Sequence, residues 1–289
     1  MGVINLTDRL GEDAFSAGDK KLVTAIANQV GAAMENARLV QEERKRERLS
    51  TELELAHHLQ LALLPGPSLL AAVGDVGAQC QAAESVGGDF YKLIPLAGRK
   101  VGVLIGDVSS HGIGAALLMA SAISAATVVA QSAPTPQEAL HRLLAVMGDD
   151  LLRTEMYISL FYAVVDAEQG VLHYANAGHP YAFLLPGGDG EPRRLGATAP
   201  PFGLAPGGVI GGAETPWERR KDLLCLFTDG FTESRGAGGG YYGERRLLET
   251  VRRHAARPAR EIVDAVFLDV AEFSGHVAED DRTLVLLRR

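Results

Sequence analysis

The sequence predicts an α+β fold: two antiparallel sheets covered by helices, with a long helix in front of them. Three observations carry this. From residue 67 onward, short β-branched runs bounded by Gly and Pro mostly follow one another directly, the pattern of antiparallel pairing and not of βαβ units. Helical stretches interrupt these runs in two zones. Residues 19–64 contain no proline and repeat apolar side chains at helical spacing.

Composition bounds the rest. A chain of 289 residues with 47% hydrophobic and 22% charged residues is globular, long enough for one large domain with an appendage, and neither disordered nor multiply membrane-spanning. The 28 Lys and Arg against 36 Asp and Glu give a net charge of −8, which speaks against nucleic-acid partners and against an anionic membrane surface. Two cysteines far apart in the chain, Cys80 and Cys225, fit reduced, buried thiols, and Met1 to Leu6 lacks the basic start and apolar run of a signal peptide, so a cytoplasmic protein is expected. Ile113 to Ala130 imitates a membrane span, but its Ala, Ser and Gly gain little from lipid, and a buried helix is expected instead.

The elements divide the chain into three parts. Residues 1–18 read as a strand, Val3 to Leu6, and a loop; a strand without partners in the same stretch cannot fold alone, so it packs elsewhere or belongs to a larger domain. Residues 19–66 read as a helical linker with Ser16 and Asp19 as candidate caps. Its seam of Val23, Ile26, Val30, Ala33, Ala37 and Val40 breaks at the charged run Gln41 to Arg48 and resumes in a shifted register at Leu49, Leu53, Ala56, Leu59 and Leu63. Residues 67–289 hold strand candidates at Val101–Ile105, Tyr157–Val165, Val171–Tyr174, Tyr181–Leu185, Leu223–Phe227 and Thr283–Leu287. The helix candidates there are Ile113–Gln131, Pro136–Leu152, Glu244–His254 and Ala259–Phe273.

Acidic residues stand where strands give way to loops: Asp89 in Val86-Gly87-Gly88-Asp89, Asp107 after Val103-Leu104-Ile105-Gly106, Asp229 after Leu226-Phe227-Thr228, and the pair Asp280-Asp281 before Arg282-Thr283-Leu284. An ionised carboxylate at the end of a buried strand is costly unless it is paired or holds a cation, and few basic residues are near in sequence. Flanking glycines let the backbone approach a ligand closely. Hard oxygen donors without a His or Cys cluster point to Mg²⁺ or Mn²⁺ and not to zinc. Each segment alone reads as an ordinary turn; the set is more specific.

Val86 to Tyr91, Gly106 to Met119 (GDVSSHGIGAALLM), Asn176 to Pro180 (NAGHP), Phe227 to Glu233 (FTDGFTE) and Asp280 to Leu284 (DDRTL) follow one another as in bacterial metal-dependent protein phosphatases. The chain resembles the SpoIIE/RsbU branch of the PPM family over residues 55–289. The resemblance implies an α-β-β-α sandwich that hydrolyses phosphoserine or phosphothreonine with two Mn²⁺ or Mg²⁺ ions, commonly on a phosphorylated STAS-type anti-sigma-factor antagonist. It implies that Asp107 bridges both ions, with the Val108 carbonyl as a further ligand. Asp89 would serve one ion directly or through water, and Asp229 and Asp280 would complete the other, with Asp281 as the alternative to Asp280. A metal-activated water is then the nucleophile, so Ser109, Ser110 and Cys225 take no covalent role. His111 would orient a neighbouring group or donate to the leaving oxygen, unless it is simply a loop residue satisfied by backbone. NAGHP reads as a structural turn, and Arg235 to Gly243 as a flap or loop.

The sequence departs from the branch pattern twice: Lys92 stands at a usually acidic position, and Ser110 stands where Gly precedes the histidine. Residues 2–39 resemble the last strand and closing helix of a GAF sensor domain, which implies a dimer through the N-terminal helix. Two further readings stay open: a catalytically weak partner-binding scaffold, supported by Lys92, and a phosphoesterase acting on small molecules.

Overall fold

The structure is a computed structural model that describes residues 3–4, 7, 16–66, 69, 72–83, 85–110, 112–188, 190–204, 209–275 and 278–289. His111 and most of residues 1–18 lie outside the described residues. Two compact units are present, Met1–Leu55 and Ala56–Arg289.

Helix α1, Ala17–Leu63, runs without interruption for 47 residues. It starts at a reciprocal cap: the Ser16 N–H donates to Asp19 Oδ2 at 2.7 Å and the Asp19 N–H donates to Ser16 Oγ at 3.2 Å. In the first unit the seam stays half exposed, with Ile26 at 49% and Val30 at 45%. Around the charged run, Arg38 bridges Glu35 and Glu42 at 2.6 Å each, and Arg48 reaches Glu52 at 3.3 Å. These one-turn pairs support an exposed helix by a few tenths of a kcal/mol each, about 0.2–0.5.

The second unit contains two five-stranded sheets, antiparallel between neighbouring strands. The first has the order β1 (Asp75–Gln81), β10 (Arg282–Arg288), β9 (Leu223–Phe227), β6 (Ala182–Leu185), β7 (Arg193–Arg194). The second has the order β2 (Phe90–Leu96), β3 (Lys100–Val108), β4 (Ile158–Asp166), β5 (Val171–Ala177), β8 (Ala213–Pro216). Helices α2 (Ile113–Ser132) and α3 (Pro136–Thr154) pack on the second sheet, while α5 (Gly243–Arg253) and α6 (Ala259–Ser274) pack on the first. A single turn, α4 (Asp229–Thr232), follows β9.

Period-two alternation builds this sandwich. Leu93, Val103, Ile105 and Phe161 face Leu224, Leu226, Val285 and Leu287 between the sheets. Ile94, Leu104 and Leu160 turn the other way, onto Ala115, Met119 and Ile123 of α2. Cys225, Phe227, Leu284 and Leu286 turn outward onto Leu247, Ile262 and Val266. Among the described residues, α2 alone is long and apolar enough to cross a membrane, and here it lays one face on the second sheet. Neither β1 nor β2 is evident in the sequence. Both are edge strands, β1 a mixed Asp-Val-Gly-Ala-Gln-Cys-Gln run and β2 carrying Pro95, which an edge tolerates.

Candidate functional site

The acidic residues meet where the two sheets end together. Asp107 is next to last in β3, and Gly106 before it admits no side chain, since a Cβ would lie 2.6 Å from the Phe90 ring. Past the strand, the Ser109 N–H donates to Tyr157 O at 2.9 Å and Ser109 Oγ accepts from the Tyr157 N–H at 2.8 Å. Ser110 then adopts φ +85°, the left-handed region that Gly takes freely and Ser does not.

Asp89 arrives on the loop between β1 and β2, which is fixed from three sides. Gln60 near the end of α1 donates to Gly87 O at 2.8 Å and accepts from the Gly87 N–H at 3.2 Å. Asp281 accepts from Ala83 N–H at 2.9 Å, Gly88 N–H at 2.8 Å and Asp89 N–H at 3.4 Å. The Val108 N–H donates to Gly88 O at 3.3 Å. Gly88 lies so close that a Cβ would stand 2.5 Å from Val108 O and 3.4 Å from Asp107 Oδ1. The Asp89 carboxylate, 2% exposed, accepts the Thr228 hydroxyl at 2.6 Å, and Thr228 Oγ1 accepts from Thr283 N–H at 2.9 Å.

Asp229 opens α4 directly after β9, half-buried. Asp280 is exposed, with Oδ1 accepting from the Asp281 N–H at 2.8 Å, whereas the Asp281 carboxylate is 9% exposed and engaged by backbone amides. The sequence could not separate these neighbours; the fold gives Asp281 the loop and leaves Asp280 facing outward.

The carboxylates act on one another. Burial, then the charges of Asp229, Asp280 and Asp281, push the Asp107 carboxyl up to about 7. Burial, Asp280 and Glu233 push Asp229 up to about 6. Asp89 is held well above the carboxylate range by burial and by Asp107, against the Thr228 hydrogen bond. None of the five has an ion pair among the described residues. Among the described residues no three such side chains converge on one point at ligating distance. The donor set is all oxygen, and the thiols Cys80 and Cys225 are pushed up by burial, Cys80 to about 12, which removes them as ligands or nucleophiles.

Asn176 and His179 tie the sheets together beside this rim. Asn176 Nδ2 donates to His179 O at 2.8 Å and to Leu195 O at 3.1 Å, and Oδ1 accepts from His179 N–H at 2.8 Å. The buried His179 ring spans Ser159 Oγ of β4 at 3.2 Å and Phe227 O of β9 at 3.1 Å. The NAGHP turn is therefore structural, as its residue types suggested. Arg235 to Gly243 forms a bridged turn in which Arg235 pairs with Tyr241 and Gly236 N–H donates to Gly240 O at 2.9 Å. Thr228 lies inside the Phe227 to Glu233 motif, whereas Gln60, 27 residues before its partner Gly87, carries no signal in the sequence.

Residues 97–289 match the family described as Stage II sporulation protein E (SpoIIE). The chain belongs to the SpoIIE family. It is 27% identical over 241 residues to phosphoserine phosphatase RsbU of Bacillus subtilis, covering 83% of this chain and 71% of that protein. It is also 27% identical over 265 residues to protein IcfG of Synechocystis sp., covering 82% of this chain but only 41% of the other. The SiaA-PP2C domain of Pseudomonas aeruginosa superposes with a TM-score of 0.75 at 25% identity, covering 84% of this chain and 98% of that one. The SpoIIE-family chain thus has the PP2C phosphatase fold, the sandwich that the sequence motifs implied.

Proposed function

We propose that this SpoIIE-family chain is a metal-dependent protein serine/threonine phosphatase that hydrolyses phosphoserine, its substrate a phosphorylated STAS-type anti-sigma-factor antagonist. The observation that carries the reading is the gathering of Asp89, Asp107, Asp229 and Asp280 from both sheets at one rim, mutually repelling and without an ion pair among the described residues. Such a cluster is unfavourable in itself and fits hard divalent cations through its all-oxygen donors. The named phosphoserine phosphatase among its relatives supports the reaction class.

Asp107 and the Val108 carbonyl would hold Mn²⁺ or Mg²⁺ together with Asp89, Asp229 and Asp280. Two such ions, when bound, supply the positive charge that clamps phosphoryl oxygens and bring a water to hydroxide near neutral pH. The chain's own part is to position. Gln60 and Asp281 hold the Gly87–Gly88 backbone, the absent side chain of Gly88 opens the approach to Val108 O, and Thr228 orients Asp89. Asp281 is spent on backbone amides, so Asp280 is the ligand of the pair. His111 remains a proposed donor to the leaving oxygen. Lys92, the residue on which the scaffold alternative rests, donates from Nζ to Leu63 O at 2.6 Å at the end of α1, a structural use for the lysine at that position.

Residues 19–66 act as the dimerising helix, residues 1–18 as a GAF-like sensor segment and residues 67–289 as the phosphatase domain of a cytoplasmic protein without nucleic-acid or membrane partners. The test is phosphate release from a phosphoserine STAS-type protein, titrated with Mn²⁺ and Mg²⁺ and stopped with a chelator. Metal-dependent release that is lost in Asp107→Asn is expected. Equal turnover in that variant, or turnover untouched by the chelator, overturns the reading.

A further inference from the structure

The first sheet has a second functional-looking end. Asp229 and Asp280 flank the β9 terminus at Phe227 and the β10 terminus at Arg282, and at the opposite ends of the same two strands lie Leu223 and Arg288. Seven residues of β10 separate the two ends, roughly 23 Å of extended chain. At this far end a cavity of about 980 Å³ opens between the β6–β7 loop, the residues before β9, and the end of α5.

Its lining is unlike the rest of this acidic chain. Arg220, Lys221, Arg252, Arg253 and Arg288 surround it, and among the described residues no carboxylate lines it, the buried Asp222 behind it accepting from Gly187 N–H at 3.4 Å. Three of the cations have acidic neighbours outside the lining: Lys221 pairs with Glu218, Arg288 with Asp75 at 3.4 Å and Arg252 with Glu191 at 3.8 Å. Glu191 is 91% exposed, so its hold on Arg252 is screened. Arg220 and Arg253 are exposed and have no ion pair among the described residues. Between the cations the accessible wall is apolar, made by Pro186, Ala255 and Ala256 over the buried Leu185 and Leu223.

Guanidinium forks match phosphate oxygens in pairs, and an apolar wall between them suits a flat ring better than water. We propose that this cavity is a second site that binds a small phosphorylated ligand carrying an apolar ring, of the class of a nucleoside di- or triphosphate, with Arg220 and Arg253 on the phosphates and Pro186, Ala255 and Ala256 against the ring. The site stands on the opposite edge of the sheet from the aspartates and does not depend on the phosphatase reading.

The experiment is titration calorimetry on the full chain in EDTA, which removes metal-bridged binding at the aspartates, with ATP, pyrophosphate and adenosine as separate probes. ATP is expected to bind with a Kd on the order of 10–100 µM, pyrophosphate more weakly and adenosine not measurably. The exposed double variant Arg220→Glu/Arg253→Glu should weaken ATP by at least about tenfold with its circular dichroism unchanged, while Asp107→Asn should leave it unaltered. Absence of ATP binding at about 1 mM overturns the proposal, as does equal affinity in the double variant. Pyrophosphate binding as tightly as ATP overturns the ring contact and with it the ligand class.

Discussion

His179 should make the fold acid-sensitive through one buried ring. The Phe227 carbonyl can only accept, so Nε2 carries the proton; Nδ1 then accepts from the Ser159 hydroxyl, and the ring is neutral. Burial, opposed by the Phe227 hydrogen bond, lowers its pKa from 6.5 to about 4. A histidine depressed in the folded state contributes stability that is fully present above the unfolded value near 6.5 and is lost as pH falls from there toward 4, because the unfolded chain takes up the proton first. At 1.36 kcal/mol per pH unit the loss is about 3 kcal/mol by pH 4. The aspartates work in the opposite direction: raised to about 7 and about 6, Asp107 and Asp229 bind protons more readily when folded and so favour the fold as pH falls over the same range. The raw pH profile therefore mixes two signs. Urea unfolding of the wild type and of His179→Gln at pH 7.5, 6, 5 and 4, in EDTA, separates them, since the variant keeps a donor for Phe227 O and cannot titrate. The stability difference between the two proteins should move by about 3 kcal/mol toward the variant across the series. A difference constant within about 0.5 kcal/mol would refute the buried neutral ring.

Three more outcomes follow from the same rim. Mn²⁺ should raise the melting temperature strongly at pH 8 and little at pH 5.5, because protons compete for Asp107 and Asp229 below about 7 and about 6; scanning fluorimetry reads this, and the shift should shrink in Asp107→Asn. Asp280→Asn should lose activity while keeping stability within about 0.5 kcal/mol, whereas Asp281→Asn turns an amide group toward Ala83 or Gly88 N–H and should cost about 2–3 kcal/mol in urea unfolding. Ser110→Gly relieves a left-handed residue at φ +85° and should stabilise by about 1 kcal/mol, read as a higher urea midpoint at unchanged slope.

Much of this was legible because it is written in local chemistry. The strands β3, β4, β9 and β10 are apolar runs with an acidic residue at or just beyond one end, Asp107, Asp166, Asp229 and Asp281, and the helices on both faces carry their caps or prolines in sequence, as at Thr135 and Pro136 of α3. β1 and β2 were not legible: edge strands need no continuous apolar run, and β1 takes its register from pairing with β10 some two hundred residues later. The acidic cluster could be assembled by motif, but the division of labour between Asp280 and Asp281 could not. It depends on which carboxylate meets the amides of Ala83 and Gly88, contacts 198 and 193 residues apart in the chain. Gln60 was hidden for the same reason, as its partner Gly87 is 27 residues away and the contact is to backbone.

The arrangement separates holding from reacting. Asp281 gives its charge to backbone N–H groups, a partnership that persists without any ion and fixes the glycine loop against β3. Asp107 has no such partner among the described residues, while Asp280 meets only the adjacent Asp281 N–H and Asp229 only the amides of its own turn, so protons or cations relieve the repulsion that is left. The glycines enforce this division, because a Cβ at Gly87 would strike Asp281 Oδ2 at 2.0 Å and one at Gly88 would cover Val108 O at 2.5 Å. Replacing Gly88 by Ala therefore forces the glycine loop away from Val108 O without removing any carboxylate from the chain, and a Mn²⁺ titration of that variant is expected to show weaker binding, because charge alone does not hold the ion when the backbone oxygen is covered.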